Sequence, residues 1–161
     1  MFGLSVALTT PFSQGGAIDD NLMTAHSKWV LQNGANSITL FGTTGEGTSI
    51  SQVEKLKTLQ TLIKEDILAS QIIVAVMTSS LQEVISQCIE YHELGVKKLL
   101  LAPPFFFKDL SFDGLLSWYS AVFTALRSLK IQFILYNIPQ LTMVAIKPEL
   151  ISALQGEFGS E

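Results

Sequence analysis

Along the chain, short apolar runs alternate with longer stretches in which apolar positions recur three and four residues apart. The first pattern predicts strands and the second amphipathic helices. Strands are expected over residues 3–8, 36–41, 71–77, 97–102 and 132–136, and helices over 18–34, 51–67, 80–95, 111–129 and 147–156. The run at 71–77, Gln-Ile-Ile-Val-Ala-Val-Met, shows no alternation, as expected of a strand buried on both faces. Local signals agree with these bounds. Asp19 and Asp20 fall at the start of the first helix and Gly34 near its end. Ser51 and Glu54 have the spacing of a capping box, Gly95 stops the third helix, and Pro148 suits the first position of the last.

The result is five consecutive βα units with no linker and no low-complexity segment. Strands alternating with helices require a parallel sheet joined by right-handed crossovers. Two architectures satisfy that. One is a (β/α)8 TIM barrel, in which residues 1–161 form a single partial domain running from the first strand to the fifth helix. Strands six to eight and the C-terminal helices would then be absent from the sequence. The other is an open doubly wound parallel sheet, flavodoxin-like, with an anionic ligand at its strand ends. A barrel usually takes about 250 residues, so length favours the open sheet. The unusual residues favour the barrel. Thr9-Thr10-Pro11, Gly42-Thr43-Thr44, Thr78-Ser79-Ser80, Pro103-Pro104-Phe105 and Tyr136-Asn137 each follow a strand, whereas an open sheet concentrates its chemistry at one switch point.

Composition narrows the class. The chain is 48% hydrophobic and 15% charged, which suits buried strands, and its net charge of −4 without a basic cluster argues against nucleic acid. The longest apolar runs are too short to cross a bilayer, so no membrane role is expected. The first residues lack the basic and apolar regions of a signal peptide. Cys88 is the single cysteine, which excludes an internal disulfide and fits a reducing, cytoplasmic setting. Its place between Ile85 and Ile89 reads as core filler. His26 and His92 stand on helices with no second ligand near them, so no metal is expected.

The stretch Leu-Phe-Gly-Thr-Thr-Gly-Glu-Gly-Thr-Ser-Ile-Ser, residues 40–51, is the most informative. It is not a P-loop, because Gly47 is followed by Thr48 rather than lysine. Nor is it a dinucleotide fingerprint, because Gly42, Gly45 and Gly47 are wrongly spaced. The glycines imply tight backbone geometry, including positive φ. Thr43 and Thr44 can be read as helix caps or as ligand donors. Glu46 reads as structural, bonding free N–H groups at a helix start.

Phe-Gly-Thr-Thr-Gly-Glu-Gly after the second strand, with Leu-Tyr-Asn-Ile-Pro after the fifth, resembles the dihydrodipicolinate synthase and N-acetylneuraminate lyase family of Schiff-base aldolases. Ala-Pro-Pro-Phe-Phe-Phe after the fourth strand supports the same match, and the likeness covers the whole chain in order. The resemblance implies a (β/α)8 barrel acting as a carbon–carbon or carbon–oxygen lyase on pyruvate, or another 2-keto acid, and an aldehyde. It implies no cofactor, and a homo-oligomer, dimer or tetramer. A lysine forms an imine with the keto carbon, and proton loss gives an enamine nucleophile. Thr43 and Thr44, between Gly42 and Gly45, would bind the keto-acid carboxylate through hydroxyl and backbone donors. Tyr136 would move protons, a phenol being both donor and acceptor. Thr10, Phe105, Phe106, Phe107 and Leu141 would wall the pocket. The phenylalanine run fits a subunit interface equally well, and Tyr136 read alone also fits a core tyrosine with a satisfied hydroxyl.

Several departures from the family pattern matter. The imine-forming lysine belongs to the sixth strand, in a Gly-Ile-Lys-like context, and would fall past Glu161. Lys147, the nearest lysine, precedes Pro148 at a helix start. Leu141 stands near where synthases proper carry an arginine for the aldehyde's carboxylate, and Phe105–Phe107 replace a loop that supplies a tyrosine hydroxyl to a neighbouring subunit. Met143 replaces a glycine. These changes lean toward a lyase for 2-keto-3-deoxy sugar acids or related substrates. The alternative is a non-catalytic truncated barrel that binds keto acids or serves as an assembly piece.

Overall fold

A computed structural model describes residues 3–159. Five strands, β1 (Ser5–Ala7), β2 (Ser37–Leu40), β3 (Ile72–Val76), β4 (Lys98–Leu101) and β5 (Gln132–Leu135), form one sheet. The main helices are α1 (Asp20–Gln32), α2 (Gln52–Lys64), α3 (Leu81–Glu93) and α4 (Phe112–Leu126). A short α5 (Pro139–Thr142) precedes α6 (Pro148–Phe158). All five predicted strands and helices are present, and the strands are shorter than the apolar runs because their last residues leave the ladder to begin turns.

Strand order decides between the two architectures. Every strand pairs in parallel with its sequence neighbour, in the order β1-β2-β3-β4-β5. A doubly wound sheet reverses its direction of growth at a switch point. Here growth never reverses, so right-handed crossovers place every helix on the same face. That is the arrangement of a barrel wall, and the chain is α/β with the first five βα units of a (β/α)8 barrel.

The two faces of the sheet differ accordingly. Side chains alternate along a strand, and Leu8, Ile38, Leu40, Ile72, Val74, Val76, Leu99 and Leu101 join the buried core beneath the helices. Phe133 marks the helix side of β5, its ring stacked on Phe123 of α4 at 4.8 Å between centroids. The alternate set carries Ser5, Thr39, Lys98, Leu100 and Ile134, each only half-buried. In β3 all five residues are buried, as its unbroken apolar run predicts. β1 and β5 are the sheet's two edges.

Local devices read from the sequence recur in the fold. Ser51 and Glu54 form a reciprocal capping box on α2, and Asp19, Ser80 and Ser111 cap α1, α3 and α4. Gly34 and Gly95 follow α1 and α3 with φ of +101° and +86°, where a side chain would be strained. Pro148 opens α6 with Lys147 as its N-cap residue. No helix among the described residues is long and apolar enough to cross a membrane.

Candidate functional site at the C-terminal strand ends

The glycine-rich turn leaves β2 at Phe41, and its geometry corrects one expectation. The residues with positive φ are Phe41 (+59°) and Glu46 (+53°), not Gly42, Gly45 or Gly47. The glycines serve instead by lacking a Cβ. One on Gly47 would overlap the carbonyl of Phe41, and one on Gly45 would stand 2.9 Å from the carbonyl oxygen of Leu8. At Gly42 the nearest atom would be Ala75 Cβ at 4.0 Å, so that position is not sterically bound to glycine. Two backbone bonds close the turn: Glu46 N–H donates to the Thr43 carbonyl at 3.2 Å and Gly47 N–H to the Gly42 carbonyl at 3.0 Å.

Glu46 is also corrected. It precedes a short 3-10 turn, Gly47–Ser49, but its exposed side chain makes no capping bond. The helix-start role falls to Ser51 and Glu54.

Thr43 and Tyr136 come together. Their hydroxyl oxygens lie 2.8 Å apart and share a hydrogen bond across 93 positions of sequence. Neither side chain is fully buried. Thr44 is exposed at the tip of the same turn. Neither threonine hydroxyl caps a helix.

Thr10, expected in the pocket wall, has its hydroxyl committed within the protein. Its buried hydroxyl donates to the Gly45 carbonyl at 2.7 Å, which fastens the loop after β1 to the turn after β2. A second set of ties joins the other loops. Phe106 N–H donates to Ser79 Oγ at 2.9 Å, and Lys108 Nζ donates to the carbonyls of Phe105 and, at 3.3 Å, of Thr142. Ser79 is marked in the sequence only as part of the strand-end run Thr78-Ser79-Ser80, and Lys108 is not singled out, since a lone lysine in a loop carries no pattern. Phe105 is half-buried, whereas Phe106, Phe107, Leu141 and Met143 are exposed. Asn137 accepts from Ile146 N–H at 3.0 Å, holding the chain between β5 and α6. Lys147 is exposed at the α6 start.

Two cavities lie elsewhere. The larger, about 660 Å³, opens between α4, β5 and α6, and the smaller, about 370 Å³, lies among Ser70, Lys97, Lys98 and Lys130. Neither is lined by Thr43, Thr44 or Tyr136. At the strand ends Thr43 and Tyr136 are half-buried and Thr44 is exposed. The Thr43–Tyr136 hydrogen bond joins two groups that can each donate or accept a proton.

Comparison with known proteins places this geometry. A family model described as the dihydrodipicolinate synthetase family matches residues 1–157. A curated 4-hydroxy-tetrahydrodipicolinate synthase of Macrococcus caseolyticus is 32% identical over 152 residues, covering 94% of this chain and 50% of its own. The crystal structure of a dihydrodipicolinate synthase from Agrobacterium tumefaciens superposes with a TM-score of 0.96 at 42% identity, covering 99% of this chain and 56% of its own. A 2-keto-3-deoxygluconate aldolase from Picrophilus torridus gives 0.87 at 25% identity, covering 98% and 55%. The chain spans about half the length of the curated relatives it matches.

Proposed function

The chain belongs to the dihydrodipicolinate synthetase family, and on that footing we propose that it forms the carboxylate-binding and proton-transferring part of a Schiff-base lyase acting on pyruvate or a related 2-keto acid. The observation that carries this reading is the 2.8 Å hydrogen bond between Thr43 and Tyr136. A phenol paired with a hydroxyl beside a glycine-rich turn suits the proton transfers of imine chemistry on a 2-keto acid.

The chemistry is as follows. The keto-acid carboxylate sits against the hydroxyls and N–H groups of Thr43 and Thr44, which aligns the keto carbon. A lysine amine, supplied by sequence outside these residues, attacks that carbon. Tyr136 donates a proton to the carbinolamine hydroxyl so that water leaves and the imine forms. Thr43 is placed to relay a proton back to the phenolate, its hydroxyl taking one from solvent as it gives its own. Loss of a proton from the adjacent carbon gives the enamine, which adds to an aldehyde. The reverse sequence cleaves the carbon–carbon bond.

The rim favours a sugar-acid substrate over a second carboxylated aldehyde. Leu141 offers no positive charge and Phe105–Phe107 no hydroxyl. The choice rests on the rim residues alone, since the dihydrodipicolinate synthase structure matches at 42% identity and the 2-keto-3-deoxygluconate aldolase at 25%. Exposed Phe106, Phe107, Leu141 and Met143 support assembly into a homo-oligomer, since exposed apolar clusters tend to be covered by a partner.

Borohydride trapping tests the reading. With pyruvate, this chain should give no adduct, and a barrel extended through its sixth strand should gain one at a lysine of that strand. A reduced adduct on Lys147 or Lys108 would overturn the assignment of the nucleophile.

A further inference from the structure

Phe41 is the hinge on which the glycine-rich turn is built. It is fully buried and holds a left-handed backbone conformation that a residue with a side chain rarely adopts. The glycines crowd it: Gly47 packs on its carbonyl, and a Cβ on Gly45 would stand 3.2 Å from its nitrogen. Whatever fixes Phe41 therefore fixes the path that carries Thr43 and Thr44.

Over the Phe41 ring lies the ammonium of Lys55, 6.0 Å from the ring centroid. Lys55 belongs to α2 and is only 5% exposed, yet its ammonium makes no hydrogen bond or ion pair among the described residues. Burial lowers its pKa below the ordinary lysine value, and the Glu83 carboxylate offsets part of that. The partial loss of hydration is a cost that an aliphatic residue in the same place would not carry. The neighbouring Lys57 and Lys64 are exposed, as helix lysines usually are.

We propose that Lys55 is a positioning residue: its ammonium, 6.0 Å from the Phe41 ring centroid, holds that ring by a cation–π contact and thereby keeps the turn in the form that presents Thr43 and Thr44. The idea rests on the reading of those threonines as carboxylate donors. A cation is attracted to the face of a ring, whereas an aliphatic side chain only fills the space beside it. Lys55 thus trades stability for the shape of the turn.

The test compares Lys55→Leu and Lys55→Arg with the unsubstituted chain. Leucine is preferred to methionine because a thioether sulfur also attracts rings. Hydrogen exchange at the Glu46 and Gly47 amides reads the turn, since both donate to its carbonyls. Lys55→Leu should leave the thermal midpoint unchanged or higher while exchange at these two amides speeds about tenfold or more, as expected when a cation–π contact of 1–2 kcal/mol is lost. Lys55→Arg should restore slow exchange. Unchanged exchange in Lys55→Leu would overturn the proposal, and so would a lower midpoint with faster exchange throughout the sheet, which marks an ordinary core residue. A pyruvate titration separates the two readings. Shifts of the Thr43 and Thr44 amides in the unsubstituted chain, weakened at least fivefold by Lys55→Leu, support both. Absence of shifts in the unsubstituted chain sinks the carboxylate reading alone, and the exchange result then decides the role of Lys55.

Discussion

Thr43 Oγ1 and Tyr136 OH lie 2.8 Å apart, although they leave the sheet from β2 and β5 with two strands between them. In a flat sheet those strand ends would be about 14 Å apart, at nearly 5 Å per strand. The bond is therefore a product of sheet curvature as much as of the two side chains. A double-mutant cycle should expose it. Thr43→Val and Tyr136→Phe should each cost about 1 kcal/mol in denaturant unfolding, and the double variant little more than either single one. In a catalytically complete barrel, Tyr136→Phe should slow imine formation by about 10²-fold or more.

Gly47 and Gly42 should respond differently to alanine. At Gly47 a Cβ meets the backbone of Phe41, which cannot move without dismantling the turn. Gly47→Ala should cost at least about 3 kcal/mol. Gly42→Ala meets only Ala75 Cβ at 4.0 Å and should change stability by less than about 1 kcal/mol. Equal losses in thermal unfolding would show that the two glycines serve the turn alike.

Thr10→Val keeps the shape of the side chain and removes its hydroxyl, leaving the Gly45 carbonyl without its buried donor. About 1–3 kcal/mol should be lost, with Thr10→Ser recovering most of it. A Thr10→Val variant as stable as its parent would return Thr10 to the role of pocket wall.

Alkaline pH should unfold the protein by a definite route. Burial pushes the Cys88 thiol up to about 12, and raises Tyr91 and Tyr119 as well. For Tyr91 the hydrogen bond to Gln52 works against the shift, and Cys88 and Glu90 add to it. These groups keep their protons in the fold while the unfolded chain releases them from about pH 9 for cysteine and pH 10 for tyrosine. Stability they confer is complete below pH 9 and declines as pH rises toward 12. Lys55 acts in the opposite sense, but one lowered group stands against three raised ones. Urea midpoints at pH 8, 9.5 and 10.5 should fall in that order. Cys88 should also resist a thiol reagent at pH 8 until the chain is unfolded.

Much of this fold is legible in local pattern. The alternating runs, Ser51 and Glu54, Gly34 and Gly95, and the clustering of Thr10, Thr43 and Tyr136 after strands all depend on neighbours within a few residues. Strand order does not, because it turns on which way each crossover folds, and so the barrel and the open sheet both fit the sequence. Within the site, the family likeness points to Thr43 and Tyr136, but their meeting depends on curvature across four strands. The positive φ of Phe41 was hidden because three glycines stood beside it, each a more natural host. Lys55 was hidden because a helix lysine ordinarily faces water. The fastening role of Thr10 lay beyond local pattern too, since its partner is the carbonyl of Gly45.

The loop ties have a consequence for variation among relatives. Thr10 binds the donor turn from the side of β1, while Ser79 and Lys108 gather the loops that carry Phe106, Phe107 and Thr142. On the proposed reading, the part that would hold the carboxylate end of a substrate is thus anchored separately from the part that would meet its other end. Substitution at the exposed rim can alter which molecule is admitted without retuning the grip. A lineage built this way can change its diet one loop at a time.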